Sequence, residues 1–342
     1  MTTLLEIDSE IRTKAASSTP ILLPATRLRS LLNDGTCRPV PCCWDGLTAK
    51  LIASAGFEIA FMSGFCVSAA RGFPDCQLVS YEEMKQSATM ITSSLSSLAS
   101  SPSSAPIPVI GDGDTGYGGG MNVKRTVKGY AQAGLAAVMI EDQTMPKRCG
   151  HVDGKEVVSR EIAFERIRAA CKARDELRGS QLGDILILAR TDARIISMDE
   201  AIYRCQKFRE IGADITFLEA PETVEEMQRY CDEVEGPKMA NLMENGKTPL
   251  LPLPELEKMG FAISVHPLSL LSTMVKGCEE TLQDMKQDKD LTPHMLPSFK
   301  RLKTVVGFDA YFEEEKQLLE ERGKEGNEEE KEKGEGRKRK RS

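Results

Sequence analysis

Eight short apolar runs recur along this chain: "RPVPCCW", "EIAFMSG", "PIPVIGD", "AAVMIED", "DILILAR", "ADITFLEA", "PKMANLM" and "FAISVHP". Between them lie amphipathic stretches at helical spacing, such as "LTAKLIASAG", "NVKRTVKGYAQAG", "REIAFERIRAACKARDEL", "MDEAIYRCQKFREIG" and "VEEMQRYCDEV". Several of these close on a glycine just before the next run (Gly56, Gly134, Gly212, Gly260), which is helix C-cap chemistry. Runs that are apolar at nearly every position are strands buried on both faces, as in parallel sheets. Eight strand–helix units over roughly 240 residues predict an α/β fold, a (β/α)8 TIM barrel. An open doubly wound sheet is the competitor, and the eightfold regularity favours the barrel.

The expected domain plan is an N-terminal arm (1–24), the barrel with C-terminal helices (25–322, helical over 283–322) and a disordered charged tail (323–342). The tail holds eight Lys/Arg against six Glu, a net of +2, so the remaining chain carries −9 of the total −7. So acidic a body is a poor nucleic-acid surface. No apolar run approaches the length of a membrane helix, and the N-terminus lacks a secretory h-region, so the expected compartment is the cytoplasm. "RKRKR", Arg337 to Arg341, reads as a solvated charge run, with a nuclear localisation signal as the alternative. The Ser-rich stretch "SATMITSSLSSLASSPSSAP" reads as a helix end running into a loop. Ten cysteines include no C-x-x-C pair, so a structural zinc site is not expected and nearly all read as reduced core filler.

In a barrel the chemistry sits at the C-terminal ends of the strands. Those ends read Trp44-Asp45, Ser63-Gly64-Phe65, Asp112 with Asp114, Glu141-Asp142, Arg190, Glu219, Asn241 and His266. Asp45 and Asp142 are each explicable as helix N-caps; so many polar ends converging on one mouth point to a functional site. "GDGDTGYGGG" formally matches G-x-G-x-x-G, but Asp112 and Asp114 would repel a pyrophosphate, so a dinucleotide site is a distant reading. The same acids, with Glu141 from the next strand and Asp75 as an outer ligand, form a hard oxygen cluster suited to Mg2+. In "EDQTMPKRCGH", Cys149 is flanked by Lys147, Arg148 and His151, cations that lower a thiol pKa. Such a thiol can donate a proton to a carbanion, and Pro146, Gly150 and Gly154 hinge the segment.

"GDGDTGYGG", "EDQTMPKRCGH" and "LARTDA" together resemble the isocitrate lyase/phosphoenolpyruvate mutase superfamily over roughly residues 25–285. The K-R-C-G-H segment resembles its C–C lyase branch; the phosphonomutases carry Asn and Ser in place of Cys-Gly-His. The resemblance implies a barrel with a swapped C-terminal helix, in a homotetramer. It implies Mg2+, with Mn2+ as a substitute, held largely through water by Asp112, Asp114, Asp75 and Glu141. It implies a gating loop from Lys147 to Lys155, with Cys149, His151 and Lys147 in the catalytic set. Ser63, Gly64, Phe65 and Gly150 correspond to substrate-holding positions, Arg190 to the arginine that pairs with the substrate, and Glu219 and Asn241 to polar positions that complete the pocket.

Methylisocitrate lyases carry an arginine shortly after strand eight, where this chain has "SVHPLSLLSTM". Together with "ANLMENGKTPLLP", this favours a smaller 2-hydroxy- or 2-oxo-dicarboxylate (a substituted malate or oxaloacetate, with a methylisocitrate-like substrate kept in the class) as the small-molecule partner, cleaved by a lyase or hydrolase. A phosphonomutase on the same scaffold is the alternative, and a non-catalytic binding barrel the second alternative.

Overall fold

The computed structural model describes residues 23–97, 106–150, 154–180, 183–291 and 296–322. The expected arm before residue 23, the charged tail with its basic run, the end of the Ser-rich stretch and His151 lie outside the described residues.

Eight parallel strands close into a barrel in sequence order: β1 (Arg38–Cys43), β2 (Ala60–Met62), β3 (Val109–Asp112), β4 (Ala137–Glu141), β5 (Leu186–Thr191), β6 (Ile215–Leu218), β7 (Lys238–Asn241) and β8 (Ile263–His266). β8 returns to β1, with Val265 opposite Val40. The (β/α)8 barrel expected from the eightfold alternation is therefore the fold. The strands' period of two explains why their sequences are apolar throughout. Val40, Phe61, Ile110, Met139, Leu188, Phe217, Met239 and Val265 fill the barrel interior. Their neighbours Cys43, Ala60, Met62, Val138, Ile140 and Ala189 face the helical layer. A first helix, α1 (Pro24–Leu32), starts on a proline at its N-terminus and buries Ala25, Leu28 and Leu32 against the interior cluster.

The outer helices begin and end where their sequences say. α2 (Gly46–Ser54) is capped by Asp45, which accepts from Thr48 N at 2.7 Å in a capping box. α3 (Gly64–Ala70) is capped by Ser63 and α4 (Tyr81–Ser96) by Ser80. Then come α5 (Gly120–Gln132), α6 (Arg160–Gly179), α7 (Met198–Ile211), α8 (Val224–Glu233) and α9 (Leu253–Met259). Gly56, Gly134, Gly212 and Gly260 all have positive φ, as their C-terminal positions require.

The chain divides into a unit through Gly277, which holds the barrel, and a unit from Cys278. α10 (Ser269–Lys286) begins in the first and ends in the second. Residues 283–322 are helical in large part, as expected: over the end of α10, over α11 (Phe299–Val306) and over 308–322, with a break where the chain leaves α10 through Asp288, at positive φ. The second unit exposes apolar side chains, including Phe299, Leu302, Val306, Tyr311 and Phe312. Among the described residues no helix is long and apolar enough to cross a membrane. All ten cysteines are free; seven are buried, Cys76 and Cys278 are exposed, and Cys149 is half-buried.

Candidate active site

The strand ends converge on one pocket at the barrel mouth. Ser63 and Phe65 enter it from the top of β2, Asp112 from β3, Arg190 from β5, Glu219 from β6 and Asn241 from β7. Asp75 joins from the segment after α3, and Lys147, Cys149 and Gly150 from the segment after β4. Asp114 and Glu141 do not line the pocket themselves. They reach it through the two cations that do, Lys147 and Arg190.

Each acid is buried for a local reason. Asp112 is the last residue of β3, and its carboxylate accepts from Gly64 N at 3.2 Å and from Asp114 N at 3.1 Å. Gly64 permits this approach, since a Cβ there would lie 2.7 Å from Asp112 Oδ2. Burial, and then the neighbouring Asp114 charge, push the Asp112 carboxyl up to about 6. Burial also raises Glu141 well above the carboxylate range, against the pull of Arg190.

The cations are held among these acids. Lys147 Nζ lies 2.5 Å from Asp75 Oδ1 and 2.9 Å from Asp114 Oδ1. Burial works against its charge, but Asp114, Asp75 and Asp112 outweigh it and hold the ammonium protonated. The sequence places Lys147 two residues from the thiol; the structure directs its ammonium to the acids instead. Arg190 Nε lies 2.8 Å from Asp192 Oδ2 and 3.3 Å from Glu141 Oε2, and its Nη2 lies 3.5 Å from Glu219 Oε2. Glu219 in turn accepts from Asn241 Nδ2 at 3.4 Å.

The Cys149 segment is seated on this network. Thr144 N donates to Glu156 O and Val158 N to Asp142 O, closing a short antiparallel ribbon at its base. Gln143 exchanges hydrogen bonds with the backbone of Arg148 in both directions, each at 2.9 Å. A Cβ on Gly150 would lie 2.6 Å from Arg190 Nη2 and 2.7 Å from the Glu219 carboxyl carbon, so the backbone here rests directly on both side chains.

Asp142 is not a helix cap. Its carboxylate accepts from Thr191 Oγ1 at 2.6 Å, Asp192 N at 2.9 Å and Arg204 Nη1 at 2.9 Å, fixing the end of β5. Asp192 and Lys155, which sequence reasoning did not select, belong to the same buried network. The signal was present in "LARTDA": an acid two residues after an arginine at a strand end shares its side.

Among the described residues no three His, Cys, Asp or Glu side chains converge closely enough to enclose an ion by themselves. Yet among the described residues the ion pairs of Asp75, Asp114, Glu141, Asp192 and Glu219, with Asp112 beside them, are made to three cations, Lys147, Lys155 and Arg190. Glu141 Oε1, fully buried, finds no hydrogen-bond donor among the described residues. This excess of buried oxygen charge fits a hard divalent cation that keeps part of its water shell, rather than one caged by protein alone.

The phosphoenolpyruvate phosphomutase family model matches residues 28–286. The chain belongs to that family. It is 39% identical over 266 residues to 2,3-dimethylmalate lyase of Eubacterium barkeri, covering 77% of this chain and 86% of the relative. It is 35% identical over 295 residues to the chloroplastic carboxyvinyl-carboxyphosphonate phosphorylmutase of Arabidopsis thaliana, covering 84% and 83%. Among solved structures, oxaloacetate acetylhydrolase in complex with the inhibitor 3,3-difluorooxalacetate superposes with a TM-score of 0.80 at 34% identity, covering 87% of this chain and 97% of that one. Membership in this family, with lyase and hydrolase relatives at such identity, makes the chain an enzyme of the carbon–carbon lyase or hydrolase kind.

Proposed function

We propose that this enzyme cleaves a C–C bond in a small 2-hydroxy- or 2-oxo-dicarboxylate, of the dimethylmalate or oxaloacetate type, with Cys149 as the general acid. The observation that carries this reading is the seating of Gly150 on Arg190 and Glu219, which brings the Cys149 thiol into the same pocket as the guanidinium.

The pocket wall supports a compact substrate with alkyl groups. Phe61, Phe217, Met239, Met243, Val265 and Leu268 supply its apolar lining. Lys147 and Arg190 are the cations among its lining residues, and both are already shared with acids. That leaves little positive charge for a third carboxylate, in keeping with the absence of an arginine in "SVHPLSLLSTM" at and just after β8. Arg190 pairs with a substrate carboxylate, and the Ser63–Gly64–Phe65 backbone and Asn241 orient the rest. Bound through Asp75, Asp112, Asp114 and Glu141 and their waters, Mg2+ (or Mn2+) would offset negative charge on substrate oxygens. As the C–C bond breaks, the 2-hydroxyl gives its proton to a carboxylate of the buried cluster and becomes a carbonyl (a 2-oxo substrate first adds water and reacts as the hydrate). The electron pair goes to the carbon beside the other carboxylate, and Cys149 delivers a proton there. The apolar wall and the seated backbone of Gly150 exclude water from that carbanion.

The exposed apolar side chains from Phe299 onward support a C-terminal helix exchanged between subunits of a homotetramer. The cytoplasm is the compartment in which we place the reaction, since ten free cysteines suit reduced surroundings.

A phosphonomutase is the second reading, favoured by the phosphorylmutase relative. One experiment separates the two. Purified enzyme and Cys149→Ala are each given 2,3-dimethylmalate, oxaloacetate, methylisocitrate and phosphonopyruvate with MgCl2 and followed by proton NMR. Cleavage of one dicarboxylate by the parent and not by the variant is the expected result. Turnover of phosphonopyruvate alone, equal in both proteins, would sink the lyase mechanism.

A further inference from the structure

Lys155 lies past Cys149 and Gly150 on the same segment, with a side chain only 4% exposed. Its Nζ donates to Asp192 Oδ1 at 2.8 Å. That same oxygen accepts from Arg190 Nη2 at 3.1 Å, while Asp192 Oδ2 accepts from Arg190 Nε at 2.8 Å. Asp192 is fully buried; burial raises its carboxyl, but Arg190 and Lys155 more than offset this and hold it ionised. Its backbone N–H is fixed by Asp142, so the carboxylate cannot follow either cation freely.

We infer that Lys155 is a positioning residue: through Asp192 it sets how much of the Arg190 charge is left for a substrate anion, and it ties the chain carrying Cys149 to that arginine. The physics is competition for one carboxylate. Arg190 is surrounded by Asp192, Glu141 and Glu219, and in a low-dielectric site each opposes the binding of a further anion. Lys155 draws on the nearest of the three. Without it, Asp192 is left to Arg190 alone, the guanidinium is held more tightly away from the ligand, and the support under Gly150 loosens. The catalytic consequence rests on reading Arg190 as the substrate-pairing cation; the tie between Lys155 and the Cys149 segment does not.

The test uses the full chain with MgCl2 and two readouts. In calorimetric titration with oxalate, Lys155→Met is expected to bind on the order of tenfold more weakly than the parent. Lys155→Arg should recover most of that loss. The double variant Lys155→Met/Asp192→Asn should also recover it in part, because the competing carboxylate is then neutral. A merely structural lysine would give no such relief. The second readout is the iodoacetamide alkylation rate of Cys149, followed by peptide mass so that exposed Cys76 and Cys278 do not contribute. It should rise in Lys155→Met and return in Lys155→Arg. Unchanged oxalate affinity and unchanged Cys149 alkylation in a folded Lys155→Met would overturn the inference. If the parent itself binds no oxalate, the proposed function is at fault, and the alkylation rates alone decide the role of Lys155.

Discussion

The ammonium of Lys147 and the carboxylate of Asp75 meet at 2.5 Å across 72 residues of sequence, and Asp114 shares the same ammonium at 2.9 Å. All three side chains are buried, so removing the cation would leave two carboxylates uncompensated. Lys147→Met is expected to cost about 3–5 kcal/mol in metal-free buffer. A divalent cation should return part of that loss, because it supplies the missing positive charge. Thermal unfolding in EDTA and in MgCl2 measures both. A variant whose melting point rises no more with Mg2+ than the parent's would remove these acids from the metal site.

Asp112 gives the site a pH dependence. Its carboxyl stands at about 6 rather than 3.8. Between those values the folded chain keeps a proton that the unfolded chain releases, so this group's contribution to stability falls as pH rises through the window. The penalty is fully present above it. Metal binding runs the other way, because it needs the ionised form. The thermal shift produced by Mg2+ should therefore be small near about pH 5 and grow through about pH 6 before levelling off. A shift that is the same across that range would show that Asp112 does not contribute to metal binding.

Gly150 lies against Arg190 and Glu219 with no room for a methyl group. Gly150→Ala should push the backbone off both side chains while leaving the barrel core untouched. We expect kcat/KM to fall by about tenfold or more with little change in melting temperature. An alanine variant of parental activity would mean that the seated position of this backbone is not the one in which chemistry occurs.

The barrel was legible because the strands are apolar on both faces and four of the helices announce their ends with a glycine (Gly56, Gly134, Gly212, Gly260). The mouth residues were legible because polar groups interrupt those runs at one end. What the linear pattern hides is direction. Lys147 reads as a neighbour of Cys149, yet its side chain turns to Asp75, a partner that no local spacing reveals. Asp142 reads as a cap, yet its partners Thr191, Asp192 and Arg204 come from the next strand and helix. Lys155 carries an ordinary lysine signature, and only the closed barrel places it on Asp192.

Asp45 and Asp142, both acids at strand ends, should separate cleanly by mutation. Asp45 serves α2 alone: its carboxylate accepts from Thr48 N, and the Thr48 hydroxyl answers toward the Asp45 backbone. Asp45→Ala should lose about 1 kcal/mol of stability, with kcat/KM unchanged. Asp142→Ala removes the more deeply buried of the two carboxylate partners of Arg204, leaving Glu200, and frees the backbone of Asp192, which pairs with Arg190. That variant should lose about 3–5 kcal/mol, and the protein that remains folded should show a raised KM, because the orientation of Arg190 depends on Asp192. Chemical denaturation with kinetics on the same preparations decides between them. Equal stability losses, or an activity loss confined to Asp45→Ala, would mean that these two acids have been assigned the wrong way round.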